Sequence, residues 1–264
     1  MIDKLSHFPK TLSSQRLWII GLLLTCLALS SCSANSESDG NTAVSPELEA
    51  QVLQIVRQNP EVILEAVEAY RTQQQDETRQ VRQDFLKQMM ENPAKSIGDS
   101  PTTGSDKQEI VLLEFSDFQC PYCAKAHETV TAFMEKYGDR VTLSYKNLPL
   151  SSIHPEALPA AKAAWAAGKQ GKFWEYRSAL FAKQKDLGDD LYGSIAQELS
   201  LDEEQFDRDR QSDAAQAAID KDLAVATSLG LNGTPVFFLN EEALSGAVEL
   251  SALEAALERV SKDR

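Results

Sequence analysis

The sequence predicts an α/β fold that carries a helical insert and is preceded by a separate helical segment. Three observations lead there. Residues 109 to 149 run strand, helix, strand; a long helical stretch follows from His154 to about Ser228; and the chain then returns to two strands and a closing helix.

The order of elements begins with an export signal. Lys4, Lys10 and Arg16 make a basic start, "LWIIGLLLTCLALSS" is an apolar run of the length of a signal core, and small residues close it. The run is short for a membrane span. "LSSC", Leu29 to Cys32, resembles the lipobox of bacterial lipoproteins, which implies removal of residues 1–31 and lipidation of Cys32 on its thiol and amine. The alternative is an ordinary secretory signal ending near Ala34. On the lipoprotein reading Cys26 leaves with the signal, and Cys120 and Cys123 remain as the thiols of a protein in an oxidising compartment. The expected location is the bacterial cell envelope, lipid-anchored and facing the periplasm or the exterior. The formal net charge is −14, and loss of three basic residues and one aspartate with the signal leaves −16. Such a chain is ill suited to nucleic acid or to electrostatic docking on anionic lipid, so the tether has to be covalent.

Residues 32–45 are polar, small and aperiodic, as a flexible linker is. Residues 46–95 turn helical: Leu48, Val52 and Ile55, then Ile63, Val67 and Tyr70, recur at spacings of four and three around a break at Asn59-Pro60. Beyond Tyr70 the stretch is almost wholly polar, with Val81, Phe85 and Met89 as a sparse stripe. So little apolar surface cannot fold alone. The segment packs on its own domain or on copies of itself, and the pattern leaves both open.

A break rich in Gly, Ser, Thr and Asp, residues 96–108, opens the domain assigned to residues 97–264. "EIVLLEF" reads as a buried strand, "CPYCAKAHETVTAFMEKYG" as a helix stopped by Gly138, and "RVTLSYKNL" as a second strand, parallel to the first because a helix crosses between them. Residues 150–230 form the helical insert, "PVFFL" and "ALSGAV" the returning strands, and "LSALEAALERVSK" the last helix.

The chemistry concentrates in "FSDFQCPYCAKAHETV". A C-x-x-C whose first cysteine opens a helix places that thiol against unpaired amide hydrogens, which favour the thiolate. Cys120 is thus the nucleophile, reaching outward, and Cys123, one turn further in, resolves the mixed disulfide; Pro121 has no amide hydrogen to leave unpaired in the first turn. Other uses of the pair fit poorly. A disulfide closing two residues hardly constrains the unfolded chain. Zinc wants four ligands, and His127, read as an exposed helix residue, and His154, read as a loop residue, lack ligand spacing to a second pair. Haem attachment needs His where Ala124 stands. No metal and no cofactor are expected, since the dithiol is itself the reagent.

"EFSDFQCPYC", with "GTPVFFLN" about 110 residues later, resembles the DsbA-like thioredoxin-fold thiol–disulfide oxidoreductases from about residue 97 to the C-terminus. The resemblance implies a thioredoxin fold in which Thr234-Pro235 is a cis peptide facing the dithiol, with Pro235 a platform for client backbone. It implies that "HPEALPAAKAAWAAGKQGKFWEYRSALF" is an insert roofing the active site, and it marks Glu114 as a buried carboxylate near Cys123 that accepts or relays a proton. A partly solvated strand-end glutamate is the other reading of Glu114. Asn240-Glu241-Glu242 departs from the Asn-Gly expected at the hairpin tip and leaves that turn unassigned.

Oxidase, isomerase and reductase share such a site. Pro-Tyr between the cysteines does not fix the direction, and without histidine there a mild oxidant is expected. "LEAQVLQIVRQNPEVILEAVEAY" resembles the N-terminal helices of ScsC-type proteins, some of which assemble through them and act as isomerases. Disulfide formation by a monomer is the favoured reading, an oligomeric isomerase or reductase the second, and a non-enzymatic partner-binding lipoprotein the third. The partners implied are reduced or misoxidised exported proteins and a membrane redox protein that recycles the pair.

Overall fold

The computed structural model describes residues 45–262. The signal, Cys26, Cys32 and linker residues 33–44 lie outside the described residues. Those described divide into two compact units, one ending at Leu64 and the other running from Glu65.

The first unit holds helix α1, Pro46–Gln58, and the start of α2, Pro60–Glu91. Ser45 caps α1 by accepting the Leu48 amide at 3.2 Å, and Pro46 occupies the first turn, where a missing N–H costs nothing. Asn59 ends α1, its side-chain amide donating to the Ile55 carbonyl at 2.8 Å, and Pro60 restarts the helix as the sequence predicts. No residue of α1 is buried; Leu48, Val52, Leu53, Ile55, Ile63 and Leu64 are all exposed.

The second unit is built on a five-stranded mixed sheet in the order β1-β3-β2-β4-β5. The strands are β1 Thr102–Gly104, β2 Ile110–Ser116, β3 Val141–Asn147, β4 Val236–Leu239 and β5 Glu242–Ser245. β2 and β3 run parallel with Ile110 opposite Val141, joined through helix α4, Pro121–Tyr137, while β1 joins β3, and β4 joins β2 and β5, antiparallel. All seven residues of β2 are buried, which is why its sequence reads as an apolar run rather than an alternation.

Alternation still decides which layer each residue enters. Ile110 and Leu112 pack with Ala126, Val130 and Phe133 of α4 and with Leu253 and Leu257 of the last helix, α10, Leu250–Lys262. Val111, Leu113 and Phe115 face the other way, against Phe238 and the C-terminal part of α2, where Met89 is buried and Phe85 meets Phe238 edge-on at 5.6 Å. Of the sparse α2 stripe, Phe85 and Met89 reach this core; Val81 stays exposed. The insert supplies helices α5 Ala157–Lys169, α6 Phe173–Ala182, α7 Asp189–Glu198, α8 Glu203–Arg210 and α9 Asp213–Ser228. Seven buried alanines let α5 pack closely among its neighbours.

Two details correct the sequence reading. The break at 96–108 is not structureless: it contains β1, preceded by the short helix α3, Pro93–Ile97. β1 is three residues long, polar and exposed, so neither hydrophobic period nor length reveals it. Gly104 makes the strand possible, because it takes φ 89° and a Cβ there would collide with the Val141 carbonyl. The hairpin tip lacks Asn-Gly yet closes in two residues, Asn240 adopting φ 50°. Its side-chain oxygen accepts the Val111 amide at 2.9 Å, so the buried asparagine extends the sheet.

A buried ion pair fastens the insert to the sheet. Asp222 of α9 accepts from Lys146 Nζ at 3.2 Å, from the Asn147 amide at 2.9 Å and from Ser100 Oγ at 3.2 Å. Lys146 donates in addition to Ser100 Oγ at 2.8 Å and the Ile97 carbonyl at 3.1 Å. Asp222→Ala leaves the Lys146 ammonium buried and uncompensated, and should cost about 3–5 kcal/mol in urea unfolding. Adding Lys146→Met to that variant should return most of the loss; a single-variant cost under about 1 kcal/mol would mean the pair is effectively solvated.

Candidate active site

Strand β2 ends at Ser116, and three residues later the chain turns into α4 with Cys120 as its N-cap, φ −72° and ψ 122°, and Pro121 in the first turn. Both cysteines are free thiols; Cys120 is 4% exposed and Cys123 fully buried. Cys120, expected from the sequence to reach outward, is therefore almost wholly covered rather than projecting from the surface. Its sulfur lies 3.6 Å from the Thr234 carbonyl, and the Thr234-Pro235 peptide is cis. Sequence positions 120 and 234 thus meet across the sheet, as the resemblance implies.

The Cys120 thiol is lowered from 9.0 to about 5. The largest cause is a hydrogen bond from the Cys123 thiol; burial opposes it, and the Thr234 side chain and the amides of Cys123 and Tyr122 add to it. The helix amides foreseen from the sequence take part, but the second thiol acts more strongly. Burial is also the chief cause that pushes Cys123 upward, and its bond to the Cys120 sulfur adds to this. A further N–H, that of Asp117, points at Cys123 Sγ from 3.5 Å.

Glu114 is fully buried on β2 and is not the solvated strand-end glutamate. Its Oε2 accepts from Arg177 of α6 at 2.7 Å, while Oε1 has no partner. The Arg177 guanidinium also meets His127 Nδ1 at 2.7 Å and lies 5.2 Å from the Tyr145 ring centre. His127 is half-buried, stacked on Phe181 at 4.9 Å, which corrects its reading as an exposed helix residue. Burial, then the Arg177 charge, lowers its pKa to about 4 and keeps the ring neutral. Tyr145 stands near both Glu114 and Cys123; burial and the Glu114 charge hold its phenol well above the usual range.

A second buried carboxylate, unremarked in the sequence, organises the loop before Cys120. Asp117 Oδ1 accepts the Gln119 amide at 2.7 Å, and Oδ2 accepts the Leu150 amide at 2.9 Å and meets His154 Nδ1 at 2.8 Å. Its backbone carbonyl takes the Cys120 amide at 3.1 Å. The insert grips the same loop from the other side: Gln184 donates to the Phe118 carbonyl at 2.8 Å and the Cys120 carbonyl at 2.9 Å, and Gln119 accepts the Glu156 amide at 2.7 Å. The sequence signal for Asp117 was slight, an acid in an otherwise buried strand end. Arg177 gave none, since its partner lies 63 positions away.

Tyr122, two residues after Cys120, and Ile153, next to the His154 that meets Asp117, are 66% and 68% exposed. Among the described residues no three His, Cys, Asp or Glu stand together as a metal-ligand set. No helix among them is long and apolar enough to cross a membrane.

Residues 95–259 match the family model described as thioredoxin. A thioredoxin-like oxidoreductase from Silicibacter pomeroyi DSS-3 is 32% identical with TM-score 0.60, over 65% of this chain and 98% of that one. Proteus mirabilis ScsC, in a transitional conformation, is 25% identical with TM-score 0.58 over 84% of this chain and 99% of its own. The alpha-DsbA2 protein of Wolbachia pipientis shares the fold at 18% identity and TM-score 0.60, over 69% of this chain and 95% of that one. Among curated relatives, the Na(+)/H(+) antiporter NhaA 1 of Mycobacterium sp. (strain KMS) is 35% identical over 158 residues, 59% of this chain but 26% of the antiporter. The chain thus spans about a quarter of the length of the curated relatives it matches. With a DsbA-like insert between the two halves of its sheet, the chain belongs to the thioredoxin family.

Proposed function

We propose that the protein is a thiol–disulfide oxidoreductase that forms disulfides in exported proteins through Cys120 and Cys123. The observation that carries this is the opposed pull on the two thiols, Cys120 lowered to about 5 and Cys123 raised. In the oxidising direction a client thiolate attacks Cys120 Sγ of the enzyme disulfide, forming a client–Cys120 disulfide and expelling Cys123, which takes up a proton. A second client thiolate then attacks the client sulfur, closes the client disulfide and expels Cys120 as thiolate. The client loses two electrons and the dithiol gains them. Cys120 is a good leaving group at neutral pH because its thiolate is stable, whereas Cys123 is slow to attack while it holds its proton. The mixed disulfide therefore partitions toward client oxidation, and the reduced enzyme needs a membrane redox partner to be recycled.

Pro235 and Thr234 would line the client's backbone beside the sulfur, and Tyr122 and Ile153 would receive its apolar side chains. A role for Glu114 in moving the Cys123 proton is confined to Oε1, the oxygen Arg177 leaves free. The division into a signal over 1–31, a linker over 32–45 and a helical segment before the catalytic domain, with lipid on Cys32, completes the reading: an envelope protein held by a covalent anchor.

One observation favours a second reading. Leu48, Val52, Ile55 and Ile63 are all exposed, an apolar stripe of the kind that copies of a helix bury against one another. Assembly through it would present several dithiols to one client and favour isomerisation.

Three outcomes check these readings. Alkylation of Cys120 in the reduced protein should rise with pH about a midpoint near 5, and the reduced form should gain stability against unfolding from about pH 5 to about pH 9.0, where the unfolded thiol still holds a proton the folded one has lost. A midpoint above 8 would remove the basis for an oxidant.

Cys120→Ala should abolish disulfide transfer to a reduced unfolded client, whereas Cys123→Ala should accumulate mixed disulfides on Cys120, seen on non-reducing gels. Trapping by Cys120→Ala instead would reverse the two roles.

For the N-terminal region, Cys32→Ser protein should leave the membrane fraction and, once purified, give a single mass by light scattering. A monomer retains the oxidase reading. A larger mass that falls to monomer when the chain begins at Ser96, with loss of scrambled-client repair, makes isomerase the better description.

A further inference from the structure

We propose that Arg82 forms a carboxylate-reading subsite for the client, next to the Thr234-Pro235 step; the inference rests on the thiol–disulfide reading and names a client chemistry for it. A cavity of about 440 Å³ begins at that step and is floored by Val236 and Phe238, with the edge strand β5 along one side. Its wall opposite comes from α2, an element that precedes the five-stranded sheet. Arg82 is the one charged side chain lining it.

The guanidinium is fixed but not neutralised. Nη2 donates to the Leu229 carbonyl at 2.7 Å, Nε is buried with no partner, and no carboxylate pairs with Arg82 among the described residues. Arg82 as a whole is half-buried, whereas the two fully buried cations of this unit are both answered, Arg177 by Glu114 and Lys146 by Asp222. A buried guanidinium edge without an acceptor is a standing cost that a ligand oxygen removes. α2 is held close for this purpose by Gly230, φ 66°, where a Cβ would come within 2.8 Å of Thr78 Cγ2, one turn before Arg82.

A client strand whose cysteine meets Cys120 passes Thr234 and Pro235, since the sulfur stands 3.6 Å from the Thr234 carbonyl. Side chains on one face of an extended chain repeat every second residue, about 7 Å, so the neighbour two positions from the client cysteine comes over the cavity. An Asp or Glu there offers two acceptors to the guanidinium in a fork geometry that Lys cannot match. The chain, formally −14 as a whole, repels acidic segments at long range, which makes a local cation the feature that admits one.

The test uses cysteine peptides with Asp, Asn or Lys two residues to either side of the cysteine. Disulfide exchange with the oxidised protein should favour Asp over Asn by about tenfold on one side, and Asp over Lys by more, with the ratio shrinking as salt rises. The Asp-to-Asn ratio should fall to about one in Arg82→Gln and to an intermediate value in Arg82→Lys, which keeps the charge and loses the fork. Because the readout is a ratio within each variant, a general loss of activity does not imitate it. The Cys120→Ser/Cys123→Ser protein, titrated by NMR with serine versions of the peptides, should show the same preference without any chemistry. Acidic preference in binding with no disulfide transfer would overturn the oxidoreductase reading alone. Transfer with equal rates for all peptides, or a preference that Arg82→Gln leaves intact, would overturn the subsite.

Discussion

The placing of the Cys123 thiol against the Cys120 sulfur is the constraint on which the rest of the site depends, because it is the largest influence holding Cys120 near pKa 5. No lysine or arginine is among the causes of that shift; a second thiol, a threonine side chain and two amides do it with neutral dipoles. Dipoles act only at short range and in the right orientation, so the fold has to fix both sulfurs tightly. Burial of Cys123 pushes its thiol upward, and the place of Cys120 at the helix start lets it receive the amides of Tyr122 and Cys123. A strand separated by three residues from the N-cap Cys120, with Pro121 in the first turn, meets both demands at once.

That precision explains where the insert is tied down. Gln184, the Leu150 amide and His154 all bond to the four-residue stretch Asp117–Cys120, and each comes from the insert or the loop entering it. The two buried ion pairs, Arg177 with Glu114 and Lys146 with Asp222, join insert helices to β2 and β3. Burying a charge pair gains little net stability over an apolar contact of the same volume, but it penalises every misplacement of one partner. Both pairs thus work as registration points that fix the insert against the strands β2 and β3.

Much of this was legible in the sequence, for physical reasons that differ by element. β2 and β3 are apolar or β-branched, α4 carries its own start and stop, and C-x-x-C is a local motif whose geometry follows from one helical turn. Thr234-Pro235 was legible only through resemblance, because nothing in local chemistry says that a proline more than a hundred residues on returns to the sulfur. Arg177, His127 and the Asp117–His154 contact were not legible, since each is defined by a partner 37 to 63 positions away. β1 was missed because three polar residues with a glycine have no period to detect. The balance of influences on Cys120 was misjudged for a related reason: helix amides can be inferred from spacing, whereas the orientation of a neighbouring thiol cannot.

The helix α2 joins two problems that the sequence presented separately. Its last turns contribute Phe85 and Met89 to a core layer under β2 and β4, which is enough apolar contact to fix that end. Its early residues, Val62, Ile63 and Leu64, remain exposed with those of α1. The part of α2 within the second unit therefore brings Arg82 to the cavity beside Thr234-Pro235, while the residues before Glu65 keep their apolar side chains exposed. Exposed aliphatic surface is costly to leave open, at about 25 cal/mol per Å². The unit ending at Leu64 bears that cost along both of its helical stretches, whereas Phe85, Leu86 and Met89 of α2 avoid it by packing under β2 and β4.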